Sequence, residues 1–409
     1  MLRTRFAVAV LVVLTLATAA HAERRALTSN IAEYTFTLRV GSGPYDEIGI
    51  HRVVRESSPG RPARTRDAIL LAPGDIWNFR AAFLTGTHPL PVYLAENGID
   101  VWGIDYRWTR VPASETNTAF MRDWGIEQDA ADVGVALAVA RFTRAISGHG
   151  FDRMFLLGWS RGGQIGYAYL NAESQLPRAL RQVQGFVPVD IYLKTDVPQL
   201  KAFACQRQQA TEAALAAGTY ANPVGGLVAT LGTLAQTAPN GTSILDPALT
   251  NRQAGLLVGE ATFALLGGLE PAPFYHFTGG VFAADGKPAG LLYSLESDLF
   301  SFEAAASPLQ PNRELADADA ATCEAADVTF DDHLDDITVP VFYIGAGGGF
   351  GEYGIYTTTL LGSSDVDTLI VNKTPANQRL MDYGHADLFL ADDAEELVWE
   401  PLLEWLRAH

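Results

Sequence analysis

Cysteine and positive charge are both scarce in this sequence. Its 409 residues include only two cysteines, and 29 lysines and arginines stand against 47 acidic side chains, which gives a net charge of −18. Nucleic-acid binding is therefore not expected, because it needs a surplus of lysine and arginine to replace phosphate counterions. The sequence also has no C-x-x-C pair and no H-E-x-x-H segment. We therefore expect no metal site and no cofactor.

Long apolar runs are missing apart from one near the N-terminus. Arg3 and Arg5 precede an apolar stretch over residues 6–19, and Ala20-His21-Ala22 fits an A-x-A cleavage site. The stretch is shorter than the ~20 residues that a membrane-spanning helix needs, and no cysteine follows it that could carry a lipid. These features predict a signal peptide over residues 1–22, no stable membrane anchor, and a secreted or periplasmic protein.

The two cysteines, Cys205 and Cys323, have two possible states. In an oxidising compartment they could form a disulfide that closes a loop of more than a hundred residues. Such a bond is worth up to about 4–5 kcal/mol in the chain-entropy model. The alternative is two separate buried thiols. Because the chain is expected to be exported, we favour the disulfide.

Short apolar runs alternate with amphipathic stretches along most of the chain. The apolar runs predict strands over residues 68–72, 99–104, 154–157, 184–189, 339–344 and 368–371, and the amphipathic stretches predict helices over 126–144 and 394–407. This alternation is typical of a mostly parallel, doubly wound sheet with helices on both faces. We therefore predict an α/β fold.

Residues 191–336 break this alternation. The segment is rich in alanine, glycine and leucine and contains candidate helices over 199–217 and 253–266. Because a structureless loop of this length is improbable, we predict an inserted, mainly helical cap between two parts of the core, residues 23–190 and 337–409. The apolar segments 227–234 and 254–269 either form the core of the cap, which is the more usual role, or line a pocket for an acyl chain.

The sequence Gly158-Trp159-Ser160-Arg161-Gly162 follows one predicted strand and precedes a predicted helix. A G-x-S-x-G pattern alone is weak evidence, but a strand, a sharp turn and a helix are the setting that a nucleophilic serine requires. Small residues two positions before and after the serine relieve the crowding of that turn. We therefore predict that Ser160 is a nucleophile.

A serine nucleophile needs a base, and in this chain order the base comes late. The histidines after Ser160 are His276, His333, His385 and His409. Two of them fall in or beside the predicted cap, and His409 is the last residue of the sequence. His385 lies between the last predicted strand and the last predicted helix, so it is the predicted base.

The acid that orients the histidine is harder to assign. It is expected after the predicted strand 339–344, but the residues there are Gly345-Ala346-Gly347-Gly348-Gly349-Phe350-Gly351-Glu352, without an aspartate. Asp190, at the end of the preceding strand, and Glu352 remain as candidates. We favour Asp190 because a carboxylate directly after an apolar strand is costly unless it has a partner.

A reacting ester carbonyl also needs two donors for its oxygen. The backbone amide of Arg161, directly after the serine, is the first candidate. The second is the amide of Asp75 in the turn after strand 68–72. The negative side chain of Asp75 would then have to point away from the oxygen or pair with a cation.

Four segments of the sequence resemble the α/β-hydrolase superfamily. They are residues 94–102, 123–129, 158–162 and 384–389, and the resemblance is looser to its acid (gastric and lysosomal) lipase branch. The resemblance implies the same roles for Ser160, His385 and the amides of Asp75 and Arg161. It departs from the family in lacking an acid after strand 339–344.

These features predict a secreted serine hydrolase that cleaves carboxylic esters through an acyl-enzyme. Its partner would be a small-molecule ester, and an apolar acyl chain is compatible with the apolar segments of the cap. Two alternatives stay open: an amidase or peptidase with the same residues, and a binding protein that has lost catalysis. The fluorophosphonate reactivity of Ser160 distinguishes an active serine from an inactive one.

Overall fold

The computed structural model describes residues 23–265 and 275–409. The predicted signal peptide lies outside the described residues, as do residues 266–269 of one apolar segment. Within the described ranges, no helix has both the length and the apolar character that crossing a membrane requires.

A large, mostly parallel sheet forms the centre of the fold. The strands are β1 (Glu23–Ala26), β2 (Ile31–Arg39), β3 (Glu47–Ser58), β4 (Arg61–Pro62), β5 (Ala68–Ala72), β6 (Asp100–Asp105), β7 (Met154–Trp159), β8 (Val183–Val189), β9 (Ala221–Asn222), β10 (Gly280–Phe282), β11 (Pro288–Leu291), β12 (Gln310–Pro311), β13 (Val341–Ala346) and β14 (Val366–Val371). Ten of these strands form the central sheet, in the order β1-β2-β3-β6-β5-β7-β8-β13-β14 with β4 paired to β3. The other four form two separate two-stranded sheets, in which β10 pairs with β11 and β9 with β12. From β6 to β14 all neighbours are parallel.

The central strands are buried on both faces, which explains their continuous apolar sequences. All five residues of β5 are buried, and so are all six of β7. Strands covered on both sides by helices do not need the alternation of an exposed strand. β2 is different, because its C-terminal half mixes exposed and partly buried residues at the antiparallel edge. The predicted fold class is confirmed.

Helices cover the sheet and fill the segment between β8 and β13. They are α1 (Phe79–Phe83), α2 (Leu90–Glu96), α3 (Ile126–Ile146), α4 (Arg161–Ser174), α5 (Pro198–Ala216), α6 (Val224–Thr237), α7 (Asn251–Glu260), α8 (Thr262–Leu265), α9 (Glu296–Ala304), α10 (Asn312–Cys323), α11 (Ile355–Thr358), α12 (Asp387–Leu390) and α13 (Glu400–Ala408). α3 begins at its predicted first residue. The predicted C-terminal helix forms as a π-turn, Glu395–Trp399, followed by α13.

The segment between β8 and β13 is mainly helical. α6 and α9 approach closely at Gly232, where a side-chain carbon would lie 2.6 Å from the backbone nitrogen of Ala304. Val228 and Leu231 of α6 are buried in the core. The predicted helix 253–266 is instead two helices, because the backbone leaves the helical region at Ala261 (φ −134°, ψ 41°). The boundaries 191–336 of the cap stay a prediction.

The predicted disulfide is confirmed. Cys205 of α5 and Cys323 of α10 are bonded across a sequence separation of 118 residues, with their Cα atoms 4.9 Å apart. The bond ties together two helices of the segment between β8 and β13. Because it restricts such a long loop in the unfolded chain, it belongs to the class of disulfides with a large expected contribution to stability.

A buried carboxyl on α9 makes the stability of the fold depend on pH. Glu303 is fully buried, and neither carboxyl oxygen has a hydrogen-bond partner among the described residues. Burial raises the pKa of Glu303 well above its ordinary value of 4.5. The stabilisation from its proton is fully present below that ordinary value. It is lost as the pH rises toward the pKa of the folded state, because the unfolded chain releases the proton first.

We expect Glu303→Gln to flatten the fall in stability as the pH rises above 4.5, the ordinary pKa of glutamate. A proton bound only in the folded state changes the free energy of unfolding by about 1.4 kcal/mol per pH unit, and glutamine has no such proton. Urea unfolding at a series of pH values measures this slope. Glu396→Gln, at an exposed position, is the control and should leave the slope unchanged. An equally steep slope in Glu303→Gln would contradict the conclusion that the raised pKa of Glu303 makes stability depend on pH.

Candidate active site

Ser160 lies in a strained turn between β7 and α4. Its backbone has φ 56° and ψ −129°, a conformation that a non-glycine residue rarely adopts. The turn is tight at both flanking glycines. A side-chain carbon at Gly158 would lie 2.2 Å from the Gly162 carbonyl oxygen, and one at Gly162 would lie 2.2 Å from the Ala72 carbonyl oxygen. The G-x-S-x-G spacing is therefore a steric requirement of this turn.

The turn after β5 packs directly against the serine. A side-chain carbon at Gly74 would lie 2.6 Å from Cβ of Ser160. Among the described residues, the backbone N–H groups of Asp75 and Arg161 donate no hydrogen bond, the latter being the first residue of α4. Two free donors beside a serine hydroxyl are what stabilisation of a developing oxyanion requires.

The side chains of the same two residues form an ion pair. Arg161 Nε donates to Asp75 Oδ1 at 2.8 Å, and Nη2 donates to Oδ2 at 3.2 Å. Burial acts to raise the pKa of Asp75, but the charge and hydrogen bonds of Arg161 outweigh it, so the pKa lies below its ordinary value. The negative side chain is thus neutralised by a cation. The ion pair also links the turn after β5 to the start of α4.

His385 lies next to the serine turn, in a buried aromatic environment. Its ring is 1% exposed and its centroid is 4.9 Å from that of Trp159, the residue before Ser160. Trp159 Nε1 donates to the His385 carbonyl oxygen at 3.3 Å. No hydrogen bond within 3.5 Å joins Ser160 Oγ and His385 in the described part of the chain. Hydrogen bonds between catalytic groups often tighten only when substrate binds.

Asp190 is fully buried and bonded to the histidine. Its Oδ2 accepts a hydrogen bond from His385 Nδ1 at 2.6 Å. Asp190 directly follows β8, and the Val189 carbonyl oxygen before it accepts from the Ser160 amide at 2.9 Å. The ends of β7 and β8 thus hold serine and aspartate side by side. Asp190 itself has φ 47°, a second strained backbone beside the serine.

The glycine-rich loop after β13 explains why no acid occurs there. Backbone amides of Ala346, Phe350 and Gly351 donate to the Asp190 carboxylate at 2.9, 3.1 and 2.7 Å. A side-chain carbon at Gly349 would lie 1.9 Å from Asp190 Oδ2. The loop therefore wraps around a carboxylate supplied by β8. The other candidate, Glu352, has an exposed side chain.

We expect Gly349→Ala to lower kcat by at least about tenfold, because the new methyl group displaces the carboxylate that orients His385. Steady-state kinetics of the ester hydrolysis predicted from the sequence measure the effect. Gly226→Ala is the matched control, since its methyl group would meet Pro308 at an ordinary contact distance of 3.6 Å. Full activity in Gly349→Ala would show that this loop does not hold Asp190 in its working position.

The other late histidines lie in different surroundings. His276 is buried and its Nε2 bonds to the Asp382 carbonyl oxygen at 2.8 Å. Its own carbonyl oxygen accepts from the His385 amide at 2.9 Å, so it supports the loop that carries the predicted base. His333 lies 3.3 Å from Asp336, and His409 lies 3.4 Å from Asp365.

A pocket opens beside Ser160, and the segment between β8 and β13 supplies one of its walls. The cavity has a volume of about 100 Å³, and its lining includes Leu200 and Phe203 of α5, Asp319 of α10, and the aromatic residues Tyr275 and Phe350. Val228 and Leu231 of segment 227–234 pack in the core, and no residue of this segment lines the pocket. The charged and aromatic lining residues were not predictable from the sequence, because they are distant in the chain and belong to no recognisable motif.

Glu314 of α10 is another residue that the sequence did not single out. Its Oε1 lies 3.9 Å from Arg161 Nε, and the side chain is fully buried. Burial, together with the nearby charge of Asp75, raises the pKa of Glu314 to about 8. At neutral pH Glu314 is therefore mostly uncharged, and Asp75 remains the charged partner of Arg161.

Comparisons of structure find proteins similar to this chain, whereas comparisons of sequence do not. No protein-family model matches the sequence, and no curated protein matches it. A candidate lipase from Sulfolobus solfataricus has a similar structure, with 20% identity and a TM-score of 0.65 over 96% of this chain and 99% of that chain. A soluble variant of monoglyceride lipase from Saccharomyces cerevisiae has 12% identity and a TM-score of 0.48, over 96% and 97% of the two chains.

The finer resemblance to acid lipases stays a prediction, because the structural matches do not single out that branch. The coarser resemblance, to the α/β-hydrolases, is confirmed at the level of the fold by the sheet order, the serine turn after β7 and the full-length structural match. This chain has the α/β-hydrolase fold.

Proposed function

We propose that this protein is an exported serine hydrolase that cleaves carboxylic esters through an acyl-enzyme on Ser160. The observation that carries the proposal is the buried 2.6 Å bond between His385 Nδ1 and Asp190, next to a serine in a strained turn. A buried carboxylate bonded to one imidazole nitrogen leaves the other nitrogen free to accept a proton.

The reaction begins with attack of Ser160 Oγ on the ester carbonyl carbon. The hydroxyl proton passes to His385 Nε2, and Asp190 holds the Nδ1 proton and stabilises the imidazolium. The carbonyl oxygen, now negative, accepts hydrogen bonds from the amides of Asp75 and Arg161. Collapse of this intermediate breaks the bond to the leaving alkoxide, which takes the proton from His385 Nε2.

Water completes the cycle by the same route. It attacks the acyl-serine carbonyl while His385 Nε2 accepts one of its protons. The second intermediate then expels Ser160 Oγ, which regains the proton and leaves a free carboxylic acid. Both halves use one base and one pair of amide donors, so no further acid or cofactor is required.

Export is supported by the disulfide as well as by the N-terminal sequence. A bond between Cys205 and Cys323 persists in an oxidising compartment and is rare in a reducing one. In the proposed organisation, the cap over residues 191–336 forms the outer wall of the pocket beside Ser160, through α5 and α10. The substrate is a small-molecule ester.

Hydrolysis of p-nitrophenyl acetate by the purified mature chain tests the proposal. We expect turnover well above the buffer rate, and much slower release from the matched amide, p-nitroacetanilide, since an anilide is a poorer leaving group. An amide cleaved faster than the ester would favour a peptidase instead. No turnover of either compound would contradict the proposed hydrolase.

A further inference from the structure

The pocket beside Ser160 is lined by hydrogen-bonding groups that have no partner among the described residues. We infer that Tyr192, Tyr275 and Arg207 form a face that recognises a neutral oxygen-bearing substituent on a short ester. This inference rests on the proposed function and narrows its substrate class. The expected substrate is therefore a short, polar ester and not a long-chain lipid.

The size of the pocket limits the size of the substituent that it can hold. Its volume of about 100 Å³ lies well below the ~300–1,000 Å³ that is typical of pockets for larger ligands. Phe203 and Phe350 stand among its walls, and the disulfide at Cys205 and Cys323 ties α5 to α10 on that side. α5 and α10 therefore have little freedom to move apart from each other. In a cavity of this volume, a group of a few heavy atoms fits better than a long chain.

The charges of the pocket cancel in pairs. Arg161 is paired with Asp75, as described above. Arg207 Nε lies 3.1 Å from Asp319 Oδ2, and its Nη2 also donates to that carboxylate. Two cations are thus matched by two anions, so the pocket has no net charge with which to select an ionised substituent. A neutral polar group is the better match.

Three hydrogen-bonding groups of the pocket lining have no partner in the described part of the chain. The residues Tyr192 and Tyr275 line the pocket and are largely buried, and their hydroxyls make no hydrogen bond to another described residue. Arg207 Nη1 likewise donates to no described residue, and its side chain is 41% exposed. Burial raises the pKa of Tyr192 to about 12 and that of Tyr275 well above its ordinary value, so both hydroxyls keep their protons. All three groups can therefore donate.

Unsatisfied donors discriminate between substrates. An oxygen atom placed against this face gains hydrogen bonds, whereas a methylene group in the same place leaves buried donors without partners. The Tyr275 ring is also 5.3 Å from the His385 ring, centroid to centroid. The recognised substituent would therefore lie close to the reacting carbonyl, on either the acyl or the alcohol side.

Two pairs of isosteric esters test the inference. p-Nitrophenyl methoxyacetate and butyrate differ by one oxygen on the acyl side, and 2-methoxyethyl acetate and butyl acetate differ by one oxygen on the alcohol side. Each kcat/KM is divided by the rate constant for hydroxide hydrolysis of the same ester, which removes intrinsic reactivity. We expect a preference of about tenfold for the oxygen-bearing member of one pair, as for one good hydrogen bond.

Single-atom variants assign that preference to the pocket. Tyr275→Phe and Tyr192→Phe should reduce the normalised preference toward unity, because each removes only a hydroxyl. Tyr356→Phe, half-buried on α11 and outside the pocket, should leave both the preference and the activity unchanged. p-Nitrophenyl decanoate should react at least about tenfold more slowly than the butyrate.

The outcomes separate this inference from the proposed function. Turnover without preference in either pair, a faster decanoate, or a preference that survives both tyrosine variants would overturn the inference and leave the hydrolase standing. Absence of turnover on every ester would overturn the hydrolase itself, together with the specificity built on it.

Discussion

Ser160→Ala is expected to reduce kcat for ester hydrolysis by about 10⁶-fold, because the substitution removes the atom to which the acyl group is transferred. The remaining rate would come from the amides of Asp75 and Arg161 and from substrate binding alone. Turnover of p-nitrophenyl acetate under single-turnover conditions measures the loss. The loss of rate should be similar for every ester, since the same oxygen atom attacks all of them.

The variant should remain folded. Ser160 Oγ makes no hydrogen bond to another described residue, and alanine experiences the same backbone strain at φ 56° as serine does. Circular dichroism and a urea unfolding curve close to those of the wild type would establish this point. Substantial turnover in the folded variant would mean that another residue is the nucleophile.

Asp190→Asn is expected to lower kcat by about 10⁴-fold, which is the size of the effect in the serine-protease template. Asparagine can present an N–H group to His385 Nδ1 instead of an acceptor, and this favours the tautomer in which Nε2 carries the proton and cannot accept one from Ser160. The imidazolium would also lose its anionic partner. Steady-state kinetics over a range of pH measures both consequences.

Glu352→Gln is the matched control for Asp190→Asn. Both changes replace a carboxylate by an amide near the glycine-rich loop, but Glu352 is exposed and Asp190 is fully buried. Only the Asp190 variant should lose activity. Because Asp190 also accepts three backbone hydrogen bonds, its variant should be checked for folding by circular dichroism. A severe loss in Glu352→Gln with an active Asp190→Asn would reverse the assignment.

The buried strands were predictable from the sequence because their environment repeats along the chain. β5 matches its predicted bounds at both ends, since a strand covered on both faces is apolar throughout, and here it lies between the polar Asp67 and the Pro73-Gly74 pair. The serine turn was predictable for a related reason. Its steric demands fall on Gly158 and Gly162, which lie within two residues of Ser160, so they appear as a local pattern.

The glycine-rich loop after β13 shows where the sequence was ambiguous. Gly349 has no local reason to be glycine, because its nearest neighbour is a carboxylate 159 positions earlier in the chain. Read locally, the loop only lacks an acid. In three dimensions, it is shaped by the acid of the preceding parallel strand.

The pocket was not predictable for the same physical reason. Arg207 and Tyr275 come from separate parts of the segment between β8 and β13, and they reach the serine only after its helices pack. Their spacing in the sequence carries no signal. The break at Ala261 that divides α7 from α8 was missed too, because the apolar periodicity continues across it.

Labelling by a fluorophosphonate probe tests the central claim most directly, namely that Ser160 is activated by His385. We expect the wild-type protein to take up one probe molecule per chain and peptide mass spectrometry to place it on Ser160. Labelling should disappear in Ser160→Ala and become very slow in His385→Ala. Stoichiometric labelling of a different residue, or unchanged labelling of Ser160 without His385, would contradict the account.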